Sequence, residues 1–115
     1  MAEARSLVLT ALPGIPRIAE GDDLLSLIVA GLERARLTLQ DGDILVLAQK
    51  IVSKSEGRSV LLADVTPSAR AQELARQTDK DPRVVELILS EAKEVLRARP
   101  GLIVVEHRLG FVLAN

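Results

Sequence analysis

Residues 41–58 read DGDILVLAQKIVSKSEGR, and this stretch gives the strongest fold signal in the 115-residue chain. A turn signal, DGD, precedes five apolar residues at 44–48, after which polar residues return. A continuous apolar run bounded by a turn is typical of a strand that is buried on both faces. We therefore predict a buried central strand, which would place Lys50, Val52 and Lys54 on one face if it stays regular that far.

The end of this stretch carries three cationic side chains, Lys50, Lys54 and Arg58, together with the hydroxyl of Ser53. Ammonium, guanidinium and hydroxyl groups all bind phosphate oxygens, so the cluster is a candidate anion site. The alternative is a solvated strand end, because charged residues are common there and discourage aggregation. Composition alone favours the solvated end, since neither a Walker-type loop nor a dinucleotide fingerprint accompanies the cluster.

Composition excludes several classes of site. The apolar fraction of 48% with Phe111 as the single aromatic residue predicts an aliphatic core. A net charge of −1 and the lack of Trp and Tyr argue against a nucleic-acid partner. The absence of cysteine excludes disulfides and thiolate chemistry, and the single histidine excludes a zinc cluster of several histidines. We see neither a signal peptide nor an apolar run of membrane-spanning length, so we expect a soluble, cytoplasmic protein without a membrane partner.

The rest of the chain predicts an α+β fold, with a mixed or antiparallel sheet and about three helices. Capping residues and apolar periodicity predict helices at 23–37, at 68–77 behind the start signal Thr66-Pro67, and from Asp81-Pro82 to about residue 97. Apolar, β-prone runs predict a first strand at 6–12, a second at 59–65 paired with the central strand, and a terminal hairpin formed by residues 102–105 and 110–113.

Three further features have both a functional and an ordinary interpretation. Residues 14–18, GIPRI, could wrap a ligand with exposed backbone groups or could simply connect to the first helix. Asp22 and Asp23 could bind metal, but helix capping explains them better. His107 could act as a general acid or base, but the sequence offers no evident partner for it and we assign it no role.

Four segments together resemble the coenzyme F420:L-glutamate ligase family, in order and spacing. They are GIPRIAEGDDL at 14–24, DGDILVLAQKIVSKSEGR at 41–58, SEAKEVLR at 90–97 and GFVLAN at 110–115. The resemblance implies that residues 1–115 are the N-terminal portion of a larger γ-glutamyl ligase domain, whose C-terminal remainder lies beyond this sequence. It also implies an interlocked homodimer.

The family resemblance implies a GTP-dependent amide ligase that joins L-glutamate to F420-0 through an acyl phosphate. It also implies dependence on Mg or Mn, with the metal ligands beyond residue 115 and none in this portion, which we expect to be inactive alone. Catalytic residues are not assigned. By the same resemblance, the residues that contact GTP are Ile15, Pro16, Arg17, Ile18, Gln49, Lys50 and Lys54, with Lys54 on a phosphate. The alternatives are a non-catalytic nucleotide- or anion-binding module and a purely structural dimerisation domain.

Overall fold

The computed structural model describes residues 3–115, which form two compact units, one up to Ser59 and the other from Val60 onward. Within the described residues there are four α-helices, one short 3-10 helix and a three-stranded antiparallel sheet. The α+β prediction is therefore confirmed, with an antiparallel rather than a mixed sheet and one helix more than expected. No helix in residues 3–115 is long and apolar enough to cross a membrane.

The first unit contains α1 (Leu24–Ala35) and α2 (Gln49–Ser55). Asp23 caps α1, because its Oδ1 accepts hydrogen bonds from the backbone N–H groups of Leu25 and Ser26. The Ser26 hydroxyl donates to Asp23 Oδ2 over 2.6 Å, and this bond is the main reason that the pKa of Asp23 lies below its ordinary value. The predicted first helix and the capping role of Asp23 are both confirmed.

The predicted central strand is wrong. Residues 44–48 belong to no strand and are exposed, and the chain is helical from Gln49 to Ser55. The predicted strands at 6–12 and 59–65 are also wrong: the former is irregular, and the latter contains a 3-10 turn at Leu62–Asp64. An apolar run becomes a strand only when a neighbour takes up its backbone hydrogen bonds, and these segments pair with no strand in residues 3–115.

The second unit contains two helices followed by the sheet. Helix α3 (Ala69–Thr78) is capped by Ser68 rather than by the predicted Thr66, and α4 (Pro82–Glu91) starts behind Asp81 as predicted. The strands are β1 (Ala92–Arg99), β2 (Leu102–His107) and β3 (Val112–Ala114), in that order across the sheet. The predicted terminal hairpin is confirmed as β2 and β3.

The third predicted helix ends earlier than expected, at Glu91 rather than near residue 97. From Ala92 the chain pairs antiparallel with β2, up to Arg99 opposite Leu102, with register shifts at two places. Inter-strand hydrogen bonds and core packing outweigh the high helix propensity of this segment, AKEVLRAR.

The core of the second unit is aliphatic, as predicted. It consists of Ala71, Ala75, Val85, Ile103 and Val105, from α3, α4 and β2. Apolar residues of α3, α4 and β1 pack around this cluster. Phe111 lies outside it, with 45% of its surface exposed.

Candidate functional site

The SKSEGR sequence at 53–58 forms the end of helix α2. Gly57 has a left-handed φ of 64°, its N–H donates to Lys54 O, and the N–H of Arg58 donates to Ser53 O. These two backbone bonds form a Schellman motif, which terminates a helix and satisfies its last carbonyls. Glycine is favoured at this position because it adopts a left-handed conformation without strain.

Helix α2 changes how the predicted basic residues are arranged. Lys50 and Lys54 lie four positions apart, so they share one face of the helix, and Val52 does not lie with them. Their separation along the axis is about 6 Å, from a rise of ~1.5 Å per residue; in a strand it would be about 13 Å. Within residues 3–115 neither ammonium group takes part in a hydrogen bond or an ion pair, so both are available to an anion.

The GIPRI segment lies between a turn at Pro13-Gly14 and helix α1. Ile15 is half-buried and Ile18 is buried, whereas Pro16 and Arg17 are exposed. A Cβ added at Gly31 of α1 would lie 3.0 Å from Ile15 Cδ1, so this glycine allows the segment to approach the helix closely. Pro16 and Arg17 therefore face solvent between two inward-packed isoleucines, which is compatible with the predicted ligand contact.

Arg34 fixes the start of the same segment. Its Nη2 donates to Gly14 O over 2.9 Å, and its Nε and Nη2 both lie 3.4 Å from Pro13 O. These bonds satisfy two backbone carbonyls of the turn from the last turn of α1. Sequence reasoning missed Arg34 and Gly31; a glycine inside a helical pattern was the available signal for a close packing contact.

A turn at residues 19–22 follows the GIPRI segment in the chain and is hydrogen-bonded to the end of helix α2. The N–H of Gly21 donates to Ser55 O over 2.9 Å, at the last residue of α2. Asp22 stabilises this turn, because its Oδ2 accepts the N–H of Ala19 over 2.7 Å. Asp22 therefore has a structural role in this turn, whereas the helix cap that the sequence analysis favoured for Asp22 and Asp23 is formed by Asp23 alone.

The seven predicted GTP residues thus fall into two groups in the first unit. One lies on the segment before α1 (Ile15, Pro16, Arg17, Ile18) and the other on α2 (Gln49, Lys50, Lys54). The Gly21–Ser55 hydrogen bond links the turn that follows the first group to the helix that carries the second group. The role of these seven residues in binding GTP stays a prediction.

His107 lies in the second unit, at the end of β2. Its Nδ1 accepts the N–H of Leu109 over 3.0 Å, so its Nε2 carries the proton in the neutral ring and donates to Glu91 Oε2 over 3.2 Å. The ring stacks on Phe111, with the ring centroids 4.5 Å apart. Arg108 Nη2 also donates to Glu91, over 3.0 Å. Both ring nitrogens are occupied, so His107 fastens the hairpin turn to the end of α4.

No group of three or more acidic or imidazole side chains in residues 3–115 is arranged to hold a metal ion. Asp23 is occupied as the cap of α1, and Asp22 as the acceptor in the 19–22 turn. The described residues therefore do not by themselves fit the metal site that the family resemblance implies.

Comparisons with known proteins cover nearly the whole chain. Residues 14–115 match the family described as F420-0:Gamma-glutamyl ligase. The chain is 44% identical over 107 residues to the coenzyme F420:L-glutamate ligase of Methanothermobacter thermautotrophicus, which covers 93% of this chain and 42% of that protein.

Two more relatives carry the same name. Identity to the protein of Methanopyrus kandleri is 44% over 99 residues, covering 86% of this chain and 37% of that protein. Identity to the protein of Halobacterium salinarum is 42% over 111 residues, covering 91% of this chain and 42% of that protein. The chain therefore spans less than half the length of these relatives.

Proposed function

The chain belongs to the F420-0:Gamma-glutamyl ligase family, and we propose that it is the N-terminal portion of an enzyme that joins L-glutamate to F420-0. The substrates are proposed from the names of the family and of its relatives, which describe ligation of L-glutamate to coenzyme F420. Since this chain spans 42% of the M. thermautotrophicus protein, the activity is proposed for the longer parent protein.

GTP hydrolysis is the proposed energy source for this ligation. A carboxylate of F420-0 would attack the γ-phosphorus of GTP, which forms an acyl phosphate and releases GDP. The amine of L-glutamate would then attack the acyl carbon, which forms the amide and releases phosphate. Negative charge accumulates on the phosphoryl oxygens in the first step, so cationic side chains placed around them accelerate it.

One observation carries the assignment of part of the nucleotide site to this chain. Helix α2 presents Lys50 and Lys54 on one face, and neither has a side-chain partner within residues 3–115. Arg17 on the GIPRI segment is likewise exposed and without such a partner there. We propose that Lys54 contacts a phosphate, while Ile15 and Ile18, whose side chains pack inward, contribute backbone groups.

Other proposed partners rest on the family alone. We propose a homodimer and dependence on Mg or Mn, with metal ligands beyond residue 115. Several apolar side chains of the first unit are more than 80% exposed, including Leu7, Leu9, Ile44 and Val46, and a second copy could cover them. A cytoplasmic location also stays a prediction.

Calorimetry with GTP tests the proposed nucleotide site. Lys54→Ala should weaken GTP binding roughly tenfold, the usual effect of losing a charge-assisted bond to phosphate. Lys93→Ala is the matched control, because Lys93 is an exposed lysine of the second unit that pairs with Glu106. Equal GTP affinities for wild type and Lys54→Ala would refute the role of Lys54.

A second measurement separates the ligase from a non-catalytic nucleotide-binding module. The 115-residue chain should show no glutamate-dependent GTP hydrolysis, whereas the full-length parent protein with divalent metal and F420-0 should show it. Hydrolysis coupled to glutamate by residues 1–115 alone would contradict the proposed division of the site. A full-length protein that consumes no GTP during ligation would contradict the proposed energy source.

A further inference from the structure

The first unit contains two turns of the same design. In AEGD at 19–22, Asp22 Oδ2 accepts the N–H of Ala19 over 2.7 Å, and the Asp22 N–H donates to Ala19 O over 3.3 Å. In QDGD at 40–43, Asp43 Oδ2 accepts the N–H of Gln40 over 2.8 Å, and the Asp43 N–H donates to Gln40 O over 3.1 Å. Both turns have glycine at the third position with positive φ, 83° and 91°.

The two turns differ in what they contact. Gly21 donates its N–H to Ser55 O at the end of α2. The Glu20 side chain lies over Gly57, so closely that a Cβ added at Gly57 would be 2.5 Å from Glu20 Oε1. The Gly42 N–H, by contrast, donates no hydrogen bond to any residue in 3–115. The turn at 19–22 therefore holds the Schellman end of α2, and the turn at 40–43 shows no such contact at its glycine.

We propose that Asp22 is a positioning residue for the nucleotide site, acting through the turn at 19–22. The turn directly follows the segment that carries Arg17 and is hydrogen-bonded to the last residue of the helix that carries Lys54. By holding the N–H of Ala19, the Asp22 carboxylate fixes the turn in the conformation that directs the Gly21 N–H at Ser55 O. This inference rests on the proposed function, since it assumes that Arg17 and Lys54 act on the same ligand.

Neighbouring residues do not duplicate the role of Asp22. Asp23 is committed to α1, where its carboxylate accepts from Leu25, from the Ser26 backbone and from the Ser26 hydroxyl. Glu20 has its side chain against Gly57. Loss of the Asp22 carboxylate would leave the Ala19 N–H without this acceptor and would loosen the connection to α2, while leaving the cap of α1 intact.

The test compares Asp22→Ala with Asp43→Ala, which removes the same bond from the matched turn. Residue-resolved hydrogen exchange should show faster exchange at Gly21 and at Gly57 and Arg58, the donors of the Schellman motif, in Asp22→Ala only. GTP affinity measured by calorimetry should fall roughly fivefold in Asp22→Ala, the effect of about one lost hydrogen bond. In Asp43→Ala it should match wild type.

Asp22→Asn should restore both readouts, because an amide oxygen can still accept the N–H of Ala19. Unchanged exchange at Gly57 and Arg58 in Asp22→Ala would overturn the inference, as would faster exchange with unchanged GTP affinity, or an equal effect of Asp43→Ala. Slow exchange throughout α1 in Asp22→Ala checks that the unit stays folded. If wild type binds no GTP, the proposed function fails, and the exchange data still report separately whether Asp22 holds α2.

Discussion

The two compact units differ in how much apolar surface they bury. From Val60 onward, Ala71, Val85 and Ile103 are completely buried in a shared core. In the described part of the first unit, only Ile18 and Gly31 are buried, and residues such as Ile44 are 85% exposed. Both units contain apolar runs of similar strength, so hydrophobicity alone does not explain the difference.

The difference lies in whether each apolar segment has a partner close in sequence. In the second unit, β1, β2 and β3 follow one another and are joined by short turns, so each finds its neighbour at once. In the first unit, the apolar runs at 6–12 and 44–48 pair with no described strand. The second unit therefore has the features of a scaffold, whereas the first keeps exposed loops and a short basic helix, the kind of segment on which binding residues are usually found.

The largest expected effect is a loss of stability on truncating a buried apolar side chain, which should occur in the second unit and not in the first. Ile103→Ala should destabilise the second unit by roughly 3 kcal/mol, because Ile103 is completely buried and truncation leaves a cavity. Val46→Ala in the first unit should change stability by less than about 0.5 kcal/mol, because Val46 is 86% exposed. Chemical denaturation of both variants measures this. A comparable loss in Val46→Ala would break the comparison and would indicate that another polypeptide covers residues 44–48.

A smaller loss of stability is expected when a glycine with positive φ is replaced by alanine in either unit. Gly57→Ala and Gly101→Ala each force alanine into a left-handed conformation, at a cost of roughly 1–2 kcal/mol. Only Gly57→Ala also displaces a side chain, that of Glu20, so it should be the more destabilising of the two. Thermal denaturation in a Glu20→Ala background should bring the two costs together. A persistent difference in that background would exclude the Glu20 contact as its cause.

The smallest expected effect concerns the helix caps and their dependence on pH. Hydrogen bonds from the Arg83 guanidinium lower the pKa of Asp81 from 3.8 to about 2. In the first unit, the pKa of Asp23 is lowered mainly by the hydrogen bond from the Ser26 hydroxyl. Because the folded-state pKa of Asp81 is depressed, its contribution to stability is complete above pH 3.8 and is lost as the pH falls through about 2.

Asp81→Asn keeps a capping oxygen but removes the charge. Its stability relative to wild type should be lower above pH 3.8, and the difference should shrink toward pH 2, as measured by thermal denaturation across this range. Parallel pH profiles for the two proteins would show that the pKa of Asp81 is not lowered in the folded state.

Sequence predicted the elements that local chemistry determines. Capping by Asp23 and Asp81 and the start signal Asp81-Pro82 located helix starts correctly. Prediction failed where distant partners decide. Residues 44–48 have the composition of a buried strand but no neighbour to pair with among the described residues, so the pattern could not produce one.

The candidate site was predicted less completely than the fold. The sequence identifies the basic residues and the GIPRI segment, and it correctly predicts irregular chain for GIPRI but wrongly predicts a strand for the basic residues. The helical arrangement of Lys50 and Lys54 was missed, although Gly57 after a run ending in Lys54 is a recognisable helix C-terminus. The contact between Gly21 and Ser55 joins residues 34 positions apart, and no local pattern encodes it.

The two register shifts in β1 have a consequence for reading amphipathic patterns. Ala92, Val95 and Ala98 lie opposite His107, Val105 and Ile103, so three steps along β1 correspond to two along β2. Each extra residue is a β-bulge, and the first bulge lets Ala92 and Val95, three positions apart, both pack against the core, whereas Ala98 is exposed. A bulged strand can thus reproduce the spacing of a helical stripe, and deleting Lys93 or Leu96, the unpaired residue of each bulge, would restore a regular strand without changing the β2 partners of the residues that follow.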